Sequence, residues 1–182
     1  MRTYKESGLE LTLPEGQHFR FTDIPAYKSL SGCHLKEMDF VWIDQGRLVL
    51  LEVRDYSQVT DTLTGSDLVP ASKQPVPFRF QALLDKVTDS LTMLLAGWAK
   101  TNWGQQFVSE LPVAARQPMP LQIVVAVELP ASLSVHLQGL RDSLNAHLKG
   151  RISLADVRTV TLVDYTRLAA HPKFSAFVKI AP

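Results

Sequence analysis

The chain has 182 residues, 46% of them hydrophobic and 20% charged, with nineteen Lys and Arg against eighteen Asp and Glu. That length fits one domain with a core of its own, and the composition excludes an extensively disordered or fibrous chain. A net charge of +1 announces neither nucleic acid nor membrane through charge alone, and Cys33, the sole cysteine, allows neither an intrachain disulfide nor a zinc site on paired thiolates.

Residues 1–17 scatter leucines among Lys5, Glu6, Glu10 and Glu15, with Gly8, Pro14 and Gly16 interrupting them. There is no apolar leader-type run, and no later run approaches the ~20 residues of a bilayer span, so the expectation is a cytoplasmic protein with no membrane partner. Residues 18–24, 37–44 and 47–56 are β-branched and aromatic runs that predict three successive strands of a meander. Residues 57–77, with Gly65, Pro70, Pro75 and Pro77, predict a long loop, either a substrate lid or a plain connection.

From Phe80 to about Lys100 apolar side chains recur at three- and four-residue steps, the period of a helix with one buried face. A connection bearing Pro112, Pro118 and Pro120 leads to a buried-type strand at 121–128. Ser132 or Ser134 can cap a helix running to about Leu148, and 157–163 supplies a last strand. Strands feeding helices and returning to strands imply an α/β fold: a single domain over 1–182 with a central mixed sheet flanked by helices. Residues 140–182 carry seven basic and three acidic side chains, open to reading as a solvated surface or as a phosphate-facing patch.

The register of the second and third strands carries the chemistry. A two-residue turn at Gln45-Gly46 makes cross-strand partners sum to 91, so Asp39 faces Glu52 and Glu37 faces Arg54, all on one face of the hairpin. A three-residue turn would send Glu52 to the opposite face from Asp39. The hairpin is otherwise apolar on both faces, which predicts central strands and a partly buried charge cluster. Opposed carboxylates there need relief, either from a divalent cation held by oxygen ligands or from Arg54 in a closed ion-pair network.

Asp39, a hairpin, then Glu52-Val53-Arg54 resembles the D…(D/E)-x-K signature of the PD-(D/E)XK nuclease superfamily, and the element order over roughly 18–128 resembles that family's core, with 132–182 as a helix–strand extension. The resemblance implies a restriction-endonuclease-like core and a Mg²⁺ or Mn²⁺ held by Asp39, Glu52 and the main-chain carbonyl of Val53, with Asp39, Glu52 and Arg54 as catalytic residues. It further implies hydrolysis of phosphodiester bonds in DNA or RNA. The sequence departs from the family at Arg54, where a lysine is usual: a guanidinium clamps phosphate but takes no proton. Lys36 and Lys86 are spatial substitutes, and Gln81, Asp85, Lys86 and Asp89 are phosphate contacts or simply a solvated helix side. The N-terminal helix usual in the family is not evident. The alternatives are a catalytically silent relative serving as a binding or assembly subunit, with a protein partner or as a homo-oligomer, and a small-molecule hydrolase using the same carboxylates. Nine glycines never form G-x-G, which sets aside nucleotide-binding loops, and Trp42, Trp98 and Trp103 are candidates for base stacking, although Trp42 and Trp98 already have core positions in this reading.

Overall fold

The computed structural model describes residues 1–30, 32–58 and 63–181. β1 (Arg2–Glu6) and β2 (Leu9–Leu13) form a hairpin whose turn residues, Ser7 and Gly8, both have positive φ. This is the twist that two-residue hairpin turns need. After β3 (His18–Phe19), a 3₁₀ turn at Phe21–Asp23 and the short α1 (Pro25–Lys28) come β4 (Phe40–Asp44) and β5 (Arg47–Asp55). Two helices follow, α2 (Phe78–Trp98) and α3 (Asn102–Glu110), then β6 (Leu121–Glu128), α4 (Leu137–Ser153), β7 (Thr161–Asp164), α5 (Tyr165–Ala170) and β8 (Val178–Ile180).

The central sheet has the order β3-β4-β5-β6-β7; its first three strands are antiparallel and β5, β6 and β7 run parallel. The chain is thus an α/β domain with a mixed sheet flanked by helices. The β4–β5 pairing has the expected register, from Asp44↔Arg47 to Phe40↔Leu51, closed by Gln45 and Gly46 at φ 46° and 75°. Even-numbered β5 residues Leu48 and Leu50 join Val41 in a core shared with α2, α3 and α4. Odd-numbered Val49, Leu51 and Val53 face a second core with Phe40 and Trp42. Both faces of the hairpin are therefore covered, as its apolar composition requires.

The cover on the second face was not legible beforehand. β1, β2 and β8 form a separate three-stranded antiparallel sheet, and Leu9, Leu11 and Leu13 alternate into the core with Phe174 and Val178. Each fully buried leucine contributes about 1.5–3 kcal/mol.

Other boundaries differ for local reasons. The strand expected at 18–24 stops at Phe19, because Phe21–Asp23 turn and Pro25 opens a helix with its fixed φ. The strand expected from 37 begins at Phe40. The span before 121–128, read as connection, contains α3, whose start is capped by Thr101 Oγ1 accepting from Gly104 N–H at 3.0 Å. α4 begins after a 3₁₀ stretch at Ala131–His136 and continues past Leu148 to Ser153, and the last central strand is the shorter Thr161–Asp164. In the loop expected over 57–77, Thr64 caps a 3₁₀ turn at Gly65–Asp67, while 59–62 lie outside the described residues. Among the described residues no helix is long and apolar enough to cross a membrane.

Candidate functional site

β5 carries Glu52 and Arg54 onto the face that meets α2. Asp39 stands just before β4, one step past the Phe40↔Leu51 pair, and its Oδ2 accepts the Val53 N–H at 2.9 Å. In a strand the carbonyl of a residue points the same way as its N–H, so the Val53 carbonyl also lies on this edge. The Asp39 carbonyl in turn accepts from Arg20 Nε at 3.2 Å, which fixes the aspartate's main chain.

The fourth member comes from α2. Lys86 Nζ lies 3.1 Å from Asp39 Oδ1 and 2.9 Å from both Glu52 oxygens. Arg54 Nε lies 2.6 Å from Glu52 Oε1. Lys86 is a sequence-named residue that the fold brings in, and the one signal that distinguishes it from its helix neighbours is position. It interrupts the buried stripe Leu83–Val87–Ser90–Leu94, where a solvated lysine has no place.

The segment leading to Asp39 is held along α2 rather than along β5. Lys36 N–H donates to Asp89 Oδ2 and Met38 N–H to Ser90 Oγ, both at 2.9 Å, while Lys36 Nζ reaches Asp85 Oδ2 at 2.7 Å. Asp85 and Asp89 are thus engaged with residue 36, and Gln81 donates to Asp85. This corrects the expected Glu37–Arg54 pairing: Glu37 accepts a hydrogen bond from the Tyr27 hydroxyl instead. The Lys36 and Met38 N–H groups are satisfied by helix side chains, so the β-ladder ends before Glu37 can enter it.

Glu52 is fully buried. Burial pushes its carboxyl up to about 8 and the Asp39 charge adds to the rise, against the lowering pull of Lys86 and Arg54. Burial disfavours the Arg54 cation, but the Glu52 and Asp39 charges outweigh it and hold the guanidinium's affinity for its proton above the ordinary value. Two carboxylates and two cations balance in number.

Asp39 and Glu52 are the side chains here that could hold a hard divalent cation. Glu52 Oε1 is buried between two cations, 2.6 Å from Arg54 Nε and 2.9 Å from Lys86 Nζ, so a metal there would have to displace one of them. Carboxylate oxygens with the Val53 carbonyl beside them are the donor set of Mg²⁺ or Mn²⁺. No cluster of three or more His, Cys, Asp or Glu side chains suited to a metal occurs among the described residues, so water and substrate oxygens would have to complete the shell.

The other sequence-named groups lie elsewhere. Cys33 is exposed. Trp42 is fully buried; Trp98 donates to Ala115 O and Trp103 to Ala26 O, both at 2.9 Å, and both rings are half-buried. Within the basic segment 140–182, Arg141 and Arg167 pair with Asp142 and Asp164, while Arg158 and Lys173 border a cavity of about 1080 Å³ with Arg47 and Trp98. That cavity sits at the Arg47 end of β5, away from Glu52, where α2 and α4 end and cations complement the helix carbonyls.

No protein-family model, curated protein or solved structure matches this chain.

Proposed function

We propose that this protein is a metal-dependent hydrolase of phosphodiester bonds in DNA or RNA, built on a restriction-endonuclease-like core of the PD-(D/E)XK kind. The observation that carries the reading is the Lys86 ammonium within 3.1 Å of both Asp39 and Glu52. It supplies from α2 the amine that the signature normally supplies two residues after the glutamate. The antiparallel β3-β4-β5 meander, the α2 crossover and the parallel β6 support the same reading.

Asp39, Glu52 and the Val53 carbonyl would hold the cation, which supplies Lewis-acid stabilisation of charge on the phosphate and lowers the pKa of water. Lys86 has three N–H donors, so it can orient a water beside the carboxylates or donate to a phosphate oxygen. Arg54 keeps its proton and clamps a phosphate oxygen through its planar fork. The covered sheet face keeps these groups in a low-dielectric surround, where each charge contact is stronger than in water.

A second reading has its own observation: the numerical balance of two carboxylates and two cations, with Lys86 between the acids, favours a silent assembly subunit. Calorimetric titration with Mn²⁺, beside an Asp39→Ala control, separates the two. Binding lost in the variant, with Mn²⁺-dependent cleavage of a DNA or RNA panel that Lys86→Met abolishes, is the expected result. Absence of both binding and cleavage in the natural protein would favour the subunit.

A further inference from the structure

Phe78, the first residue of α2, is 81% exposed and is one of the most exposed large hydrophobic side chains in the chain. Its ring is not bare of company: Lys36 Nζ stands 5.8 Å from the centroid while also pairing with Asp85, the residue preceding Lys86. Phe78, Asp85 and Asp89 fall on one helical stripe at i, i+7 and i+11, the stripe that holds residue 36. Phe78 is therefore about 12 Å along the helix axis from Lys86. A second stripe, Arg79, Lys86 and Ser90, repeats the same spacing, and the Arg79 guanidinium carbon sits 5.6 Å over the Tyr56 ring, two residues beyond Arg54.

Outward from the buried Lys86 and the carboxylates come the part-exposed Arg54 and Arg79, with the exposed Phe78 ring and Lys36 at the rim, beside Asp85 and Asp89. Cations beside an aromatic platform are an arrangement that takes a nucleic-acid strand by its phosphates and one base face. A paired base in a duplex has both faces covered by its neighbours and cannot lie on such a ring.

We infer that the site acts on single-stranded nucleic acid, with an unpaired base stacked on Phe78 and adjoining phosphates held by Arg79 and Lys36. The inference rests on the hydrolase reading for which phosphate lies at Lys86, and it names the substrate form that reading leaves open. It is tested by fluorescence anisotropy of labelled single-stranded DNA, single-stranded RNA and a duplex of the same sequence, with Ca²⁺ in place of Mg²⁺, for the natural protein, Phe78→Ala and Phe78→Trp. Expected are tighter binding of a single strand than of duplex, a loss of about tenfold for Phe78→Ala on the single strand alone, and recovery in Phe78→Trp. Phe78 touches no core, so the alanine variant keeps its fold. Duplex bound as tightly as single strand, an unaffected Phe78→Ala, or no binding of either strand would each overturn it. A cleavage assay in Mn²⁺ on the same oligonucleotides keeps the two ideas apart. Phe78-dependent single-strand binding without cleavage counts against the hydrolase alone, whereas cleavage confined to duplex counts against the single-strand inference alone.

Discussion

Lys86 sits where an ordinary helical lysine would not, 9% exposed and wedged between two carboxylates. Its removal leaves Asp39 and Glu52 side by side with Arg54 still paired to Glu52, and breaking a buried pair in this way costs about 3–5 kcal/mol. Lys86→Met is expected to lose that much in urea unfolding, as well as all metal-dependent cleavage. Arg54→Lys, at a more exposed position, is expected to lose less stability. Glu52 sets a pH dependence. Its carboxyl is raised from 4.5 to about 8, so between those values the native state holds a proton that the unfolded chain has released. Stability therefore falls as pH rises across that window and levels off above it. Glu52→Gln has no such proton to lose: unfolding measured at both ends of the window should show the natural protein declining relative to the variant as pH rises. The Asp39–Glu52 face was legible because a hairpin register follows from turn length and alternation. Lys86 could only be shortlisted, since the reach of a helix side chain to a sheet depends on where the helix lies, which no local spacing encodes.

α2 is the element that assembles the site. It delivers Lys86 inward and holds the 36–38 main chain through Asp89 and Ser90, which ends the β4 ladder at Phe40 and leaves the Asp39 carboxylate free to meet Glu52 and Val53. Ser90→Ala strips a buried Met38 N–H of its acceptor, so a loss of about 1–3 kcal/mol is expected, together with weaker Mn²⁺ binding as Asp39 shifts. α2 is itself braced by α3: a Cβ at Gly104 would run into the Ala96 carbonyl oxygen, and one at Gly97 would lie 2.7 Å from Val108. Gly104→Ala should lower the melting temperature more than Gly150→Ala, where a Cβ meets nothing. The long helix and the 121–128 strand were readable from period and β-branched content. α3 was not, because three prolines follow it closely and its nine residues include only a short apolar pattern.

At the scale of the molecule, three layers stand in order: helices α2, α3 and α4, the central sheet, and the β1-β2-β8 sheet with α5. The site belongs to the contact between the first two layers. Leu11→Ala, deep in the third, should cost about 2–5 kcal/mol in unfolding yet leave the Mn²⁺ affinity of the folded protein unchanged, because its packing lies on the other side of the sheet. The third layer escaped sequence reading for a physical reason. β8 has three residues, and its partner strand lies at the far end of the chain, so no local pattern announces the pair.

The pairing of Leu9 with Ile180 also has a bearing on how the molecule is made. On a ribosome, the β1-β2 hairpin and the β4-β5 hairpin emerge early and can form from neighbouring residues. The Trp42, Leu51 and Val53 surface, however, obtains Phe174 and Val178 only once the chain has grown past α5 and β8. Joining strands so distant in sequence carries a large loop-closure entropy, and contacts of that span form late. Until then a nascent chain presents an apolar sheet face to its surroundings, the kind of transiently exposed surface from which aggregation starts.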